Sequence, residues 1–200
     1  MILELPWKDF LALFAMALGL ISFLPYLWQI LKRKTEPHAY TWLIWTITQG
    51  VVAAGVWFGG GGVVQTGAMI AYALCAFIVF VLSFWYGTKN ITGGDTILLF
   101  IALCSVFIWQ GLESPALAII VATAIDLIGY IPTFRKSYDE PLTENILAWI
   151  GYAITPILVV FSLYEYNVMT GTYATATAII NTILVAFLLV RRAQLKTQPV

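Results

Sequence analysis

Long uncharged apolar stretches alternate along the chain with short clusters of glycine, proline and charged residues. Each stretch approaches the roughly 20 residues that an α-helix needs to cross a hydrocarbon core of about 30 Å. The pattern predicts helices near 11–31, 40–58, 64–86, 96–110, 115–134, 143–164 and 171–190. The breaks have local causes. Gly59 to Gly62 cannot sustain a helix cheaply, Gly93-Gly94-Asp95 and Gly111 to Pro115 are turn chemistry, and 167–171 is polar. A membrane β-barrel would instead show apolar and polar residues alternating in segments of about ten, and Leu11 to Leu31 does not alternate.

Composition agrees with lipid as the solvent: the chain is 61% hydrophobic and 10% charged, against about 25% charged for a soluble domain. With a formal net charge of zero, no basic field argues for nucleic acid. Cys75 and Cys104 both fall in apolar stretches and read as small buried hydrophobes rather than a disulfide pair. No cleavage site of small residues follows the first apolar run, so the first helix is expected to stay in the mature protein. Seven spans place Lys32, Arg33, Lys34, Lys89, Arg135, Lys136, Arg191, Arg192 and Lys196 on one side and only Lys8 on the other. Basic loops are retained in the cytoplasm, so the N-terminus is expected outside and the C-terminus inside. The sequon Asn90-Ile91-Thr92 then faces the cytoplasm as a chance match.

The stretches also repeat. A constant offset of 104 aligns Glu36-Pro37 with Glu140-Pro141, Leu43 with Leu147, Trp45 with Trp149, and Val64, Thr66 and Gly67 with Val168, Thr170 and Gly171. Pro25 in the first helix matches Pro132 in the fifth at an offset of 107, the loop before Glu36 being longer by three residues, and this sets Asp126 opposite Gly19. The expected fold is therefore all-α and integral to the membrane: a three-helix repeat over 1–92, a linker helix over 93–113, and a second three-helix repeat with a short basic tail over 114–200. An odd linker makes the two repeats parallel, a plan shared by several transporter folds.

This three-one-three plan, with Pro25 to Trp45 repeated as Pro132 to Trp149, resembles the PQ-loop and SWEET superfamily of seven-helix membrane proteins. In SWEET transporters an Asn from the third helix of each repeat faces the sugar. Asn181 matches such a position, and the offset gives it Phe77 as its mate. A second resemblance, to the PnuC vitamin transporters, rests on Glu144-Asn145-Ile146-Leu147-Ala148-Trp149 and on Trp42-Leu43-Ile44-Trp45; it implies a nucleoside-like or vitamin-like cargo. The chain is also similar to small bacterial members of the superfamily, which implies a bacterial inner membrane.

Polar residues inside a bilayer are costly, and their arrangement can locate a pathway. Thr123, Asp126, Tyr130 and Thr133 share one face of the fifth helix, and Gly19, Ser22, Tyr26 and Gln29 the corresponding face of the first. The seventh helix offers Thr170, Ala174, Thr177 and Asn181, the sixth Asn145, Trp149 and Tyr152, and the second Thr41, Trp45 and Thr48. Five such stripes suit a central solute cavity; hydroxyls that merely glue helices together are the competing reading. Asp126 is the sharpest candidate, because a carboxylate at mid-helix must meet a partner or carry a proton, and no Lys or Arg lies within a span. Trp45 and Trp149 could stack on a ring-shaped solute or sit in an aromatic belt; Trp7, Trp85 and Trp109 fall at span ends, where belt anchoring is expected. Pro25 and Pro132 should bend their helices and could act as hinges, whereas Pro37 and Pro141 belong to helix starts.

The expected solute-contacting set is Asp126, Tyr130, Asn145, Trp149, Tyr152, Asn181, Trp45, Thr48, Tyr26 and Thr177, with no metal or cofactor. The expected function is a carrier of a small polar or ring-bearing solute that alternates access between the repeats. The alternative is a non-transporting receptor, since seven-helix retrieval receptors of the secretory pathway share the resemblance. An enzyme is disfavoured: the lone His38 has no Cys partner near it, and no nucleophilic triad is visible.

Overall fold

A computed structural model of the chain describes residues 6–34, 37, 39–87, 93–111, 114–128, 130, 134, 137–138, 141–142, 144 and 146–197. Among them are seven helices and no strand: α1 (Trp7–Leu31), α2 (Ala39–Phe58), α3 (Val63–Tyr86), α4 (Gly93–Gly111), α5 (Pro115–Ile128), α6 (Ile146–Ser162) and α7 (Val168–Thr197). Four of them, over Trp7–Leu31, Ala39–Phe58, Val63–Tyr86 and Val168–Leu195, are long and apolar enough to cross a membrane, and α5 and α6 are shorter apolar helices. The outer surface fits that solvent. Phe84 and Trp85 are each 67% exposed and Leu147 76% exposed, and apolar surface of this kind is stable in lipid rather than in water.

Several boundaries differ from the sequence expectation, each for a local reason. The polar segment 167–171 is not a loop but the start of α7. Asn167 caps it: its Oδ1 accepts from the backbone N–H groups of Met169 (2.9 Å) and Thr170 (3.2 Å), while its own N–H donates to Thr170 Oγ1 (3.1 Å). At its other end α7 runs past Arg191 and Arg192 to Thr197, because those side chains find carbonyl acceptors without leaving the helix. The glycine run is an ordered turn. Gly61 N–H bonds Val56 O at 2.8 Å and Gly60 N–H bonds Trp57 O at 3.3 Å, a helix-ending motif that requires the left-handed φ of +78° found at Gly60. The proposed hinge Pro25 lies inside α1, which continues through it; Pro132 lies outside the described residues, as do Asn145, Thr133, His38, Glu36 and Glu140.

α1 and α2 both pack on α3, α6 and α5 both pack on α7, α1 lies against α6, and α2 lies against α5. α4 packs on α2 and α5. Lipid tails are as apolar as leucine, so helices in a bilayer are held by close packing and hydrogen bonds rather than by expulsion of water. Close packing is visible at Gly59, where an added Cβ would lie 2.8 Å from Gly55 O and 2.9 Å from both Met169 Cβ and Thr170 Cγ2. The central apolar cluster joins Ala15, Val52, Ala53, Val56, Ala68, Met69, Val159 and Ala174 from α1, α2, α3, α6 and α7.

Candidate functional site

Asp126 is 6% exposed. It lies eleven residues beyond the start of α5, about 16 Å along the helix axis, level with Thr48 at the middle of α2. Tyr173 on α7 donates its hydroxyl to Oδ2 at 3.2 Å. Thr48 on α2, fully buried, shares its proton between Asp126 Oδ1 at 3.5 Å and Trp45 O at 3.2 Å. Three residues earlier on the same face, Thr123 is 4% exposed and its Oγ1 has no hydrogen-bond partner among the described residues.

A second cluster lies just beyond α5. Tyr130 donates to Asn181 Oδ1 on α7 at 3.1 Å. Its ring lies 6.2 Å from that of Trp149, and Trp149 meets Tyr152 edge-on at 5.6 Å. Trp149 Nε1 donates to Glu144 at 3.0 Å, which fixes the indole plane. Tyr152 donates to Ser22 O on α1 at 3.1 Å. On the other side, Tyr26 lies 5.2 Å from Trp42, which meets Trp45 edge-on at 4.9 Å; Trp45 also packs against Ile44 and Ile125, next to Asp126. The structure thus gathers Asp126 with Thr48, and Tyr130 with Trp149, Tyr152 and Asn181. Thr177, 6% exposed, turns its hydroxyl back onto Tyr173 O at 2.8 Å, leaving only acceptor lone pairs.

Three residues of this network are absent from the expected set. Tyr173 sits one turn before Thr177, and its hydroxyl is the nearer of the carboxylate's two partners. Trp42 is the most buried ring of its cluster. Gln65 carries a signal that was readable: a lone amide in an apolar helix, 1% exposed, donating Nε2 to Ser162 O at 2.7 Å. The expected mate of Asn181 sits elsewhere. Phe77 is 46% exposed, while Ala76 beside it is 2% exposed and faces the interior.

Hydrogen bonds tie the N-terminal helices (α1 to α3) to the C-terminal ones (α5 to α7) at two levels. At the end where α1 begins, three cross over: Gln65 to Ser162 O, Asn167 Nδ2 to Gly59 O at 2.7 Å, and Lys8 Nζ to Leu163 O at 2.6 Å. At mid-depth Thr48 reaches Asp126 and Tyr152 reaches Ser22 O. At the opposite end Arg191 donates to Tyr138 O at 2.9 Å, and Arg192 donates to Pro141 O at 3.0 Å and Glu144 O at 2.6 Å, which ties α7 to the segment joining α5 to α6. Among the described residues no group of three His, Cys, Asp or Glu side chains could hold a metal ion. Compared with known proteins, the chain matches no family model, no curated protein and no solved structure.

Proposed function

We propose that the chain is a membrane carrier of a small polar or ring-bearing solute, with two three-helix halves that rock about the Asp126 cluster. The observation that carries the reading is a pair of equivalent crossings. Thr48 on α2 reaches Asp126 on α5; adding the repeat offset of 104 gives Tyr152 on α6 and takes Ser22 on α1 to position 126, and Tyr152 reaches Ser22. The same interface is thus used twice, as two parallel repeats require. Helix packing supports it: α1–α3, α2–α3 and α1–α6 have the counterparts α5–α7, α6–α7 and α5–α2. On this reading Ser22 is the counterpart of Asp126, three residues from the Gly19 that matching Pro25 with Pro132 gives. Burial sets the third helices at an offset of 105, with Gln65, Met69, Ala76 and Val79 answering Thr170, Ala174, Asn181 and Leu184.

Alternating access also needs one end closed while the other opens. Side-chain ties from Gln65, Asn167 and Lys8 to carbonyls across the two halves support a form closed on the side of the N-terminus. With the basic loops in the cytoplasm, that closed side is the outside. The test is counterflow in proteoliposomes with sugars, nucleosides and vitamin-like rings, with Asp126→Asn as the partner variant. A carrier exchanges at least one labelled solute, and the variant loses that exchange while keeping its helical content and elution volume. Exchange of no solute, with binding intact, moves the chain to the receptor class.

A further inference from the structure

The geometry points to a monovalent alkylammonium cation as the cargo, held by Asp126; this rests on the carrier reading above. Asp126 is a carboxylate at mid-depth, and every described Lys and Arg sits near a helix end. Its two partners, Thr48 and Tyr173, are neutral hydroxyls. A carboxylate in a bilayer pairs with a counter-charge wherever one is within reach, and among the described residues the bundle supplies a negative site and no positive group beside it. Thr123 Oγ1, buried on the same face without a partner, is a further oxygen ligand.

The rings around the site have the matching chemistry. Tyr173 touches the carboxylate, and Tyr130, Trp149 and Tyr152 form a connected aromatic wall beginning four residues after Asp126, just past α5. An aromatic face attracts a cation lying over it, and a carboxylate combined with several rings is the recurrent way to hold a quaternary ammonium. A sugar would need a set of paired donors and acceptors instead. Here the side-chain polar groups are largely spent on one another: Tyr130 on Asn181, Trp149 on Glu144, Thr177 on its own helix.

The test uses the purified full chain in detergent with matched probes of equal shape: choline against 3,3-dimethyl-1-butanol, and acetylcholine against 3,3-dimethylbutyl acetate, with glucose and uridine as neutral solutes. At millimolar concentration at least one cation should raise the melting temperature while its neutral twin leaves it unchanged, since a ligand that binds only the folded state stabilises it by mass action. Asp126→Asn should weaken that cation tenfold or more, and Asp126→Glu should recover part of the loss. The matched comparison on the unaltered chain stands even if Asp126→Asn fails to fold. Equal stabilisation by neutral and charged twins, stabilisation by no cation, or a cation effect that survives Asp126→Asn overturns the inference. Uptake of the same labelled probes into proteoliposomes separates the two readings. Cation binding without uptake overturns the carrier and keeps the cation site, whereas uptake of uridine or glucose alone keeps the carrier and overturns the cation.

Discussion

If Gln65 and Asn167 hold the N-terminal side shut, removing their donors should open it without dismantling the bundle. Two substitutions isolate the donors. Gln65→Met keeps the length of the side chain and deletes the Nε2 that reaches Ser162 O at 2.7 Å. Asn167→Asp deletes the Nδ2 that reaches Gly59 O at 2.7 Å but keeps the oxygen that caps Met169 and Thr170. A neutral hydrogen bond of this kind contributes about 1 kcal/mol net, so the pair biases the closed form by about 2 kcal/mol, or roughly 30-fold at about 1.4 kcal/mol per decade. The reporter is a single cysteine at Ala174, 3% exposed in the cluster beneath the lock, in a chain whose Cys75 and Cys104 are replaced by serine. Applied from the side of the N-terminus, a membrane-impermeant maleimide should label Ala174→Cys slowly in the parent and 10- to 30-fold faster in the double variant. The single variants should fall between. Labelling that does not change, or that rises equally from both sides, would show that these amides are passive glue.

Other positions give independent checks. Gly59→Ala should lower the apparent melting temperature by an amount equivalent to about 1–3 kcal/mol, the usual cost of overpacking, because its Cβ would press on Gly55 O, Met169 and Thr170. Gly50→Ala, whose Cβ meets nothing within 4 Å, should leave it unchanged, and equal effects would refute this packing account. Thr48→Val and Tyr173→Phe each remove one partner of Asp126, and their costs should be non-additive by about 0.5 kcal/mol or more, since they share one carboxylate; an additive thermal cycle would deny the shared site. Arg192→Gln should speed backbone hydrogen exchange around Pro141 to Glu144 severalfold, the effect of losing about 1 kcal/mol of partly solvated hydrogen bonds. Arg192→Lys should not restore protection, because an ammonium lacks the fork that spans two carbonyls.

How far the sequence could be read depended on which physical term set each feature. Helix existence followed from hydrophobic length, since any backbone in lipid must satisfy itself as a helix. All seven expected helices have counterparts among the described residues, although α4 is described from Gly93, a residue read as a turn, and α6 only from Ile146. The face carrying Thr123 and Asp126 was legible because a carboxylate cannot be left to lipid, and both residues are buried. The partners were not legible. Tyr173 and Gln65 sit in helices whose sequence gives a buried face only to within a residue or so, and a tyrosine reads equally well as a belt residue until its hydroxyl finds an acceptor.

The register between the two halves shows the same limit more sharply. Matching letters at offset 104 set Asn181 against Phe77, yet Phe77 is 46% exposed and Ala76 2%. One residue is a rotation of about 100° on a helix, enough to turn a lining position into a lipid-facing one. Identity at conspicuous residues such as Trp45 and Trp149 therefore aligns the second helices and says little about the third. On the proposed repeat burial sets the phase there and brings Ala76 opposite Asn181, just as the proposed equivalence of the crossings brings Ser22 opposite Asp126. In both pairs the N-terminal half carries a small side chain and the C-terminal half a larger polar one. If the chain is the carrier proposed above, its cargo would be read by one half and merely accommodated by the other, so substitutions on α5 and α7 should change selectivity while enlargements at Ser22 and Ala76 should only restrict cargo size.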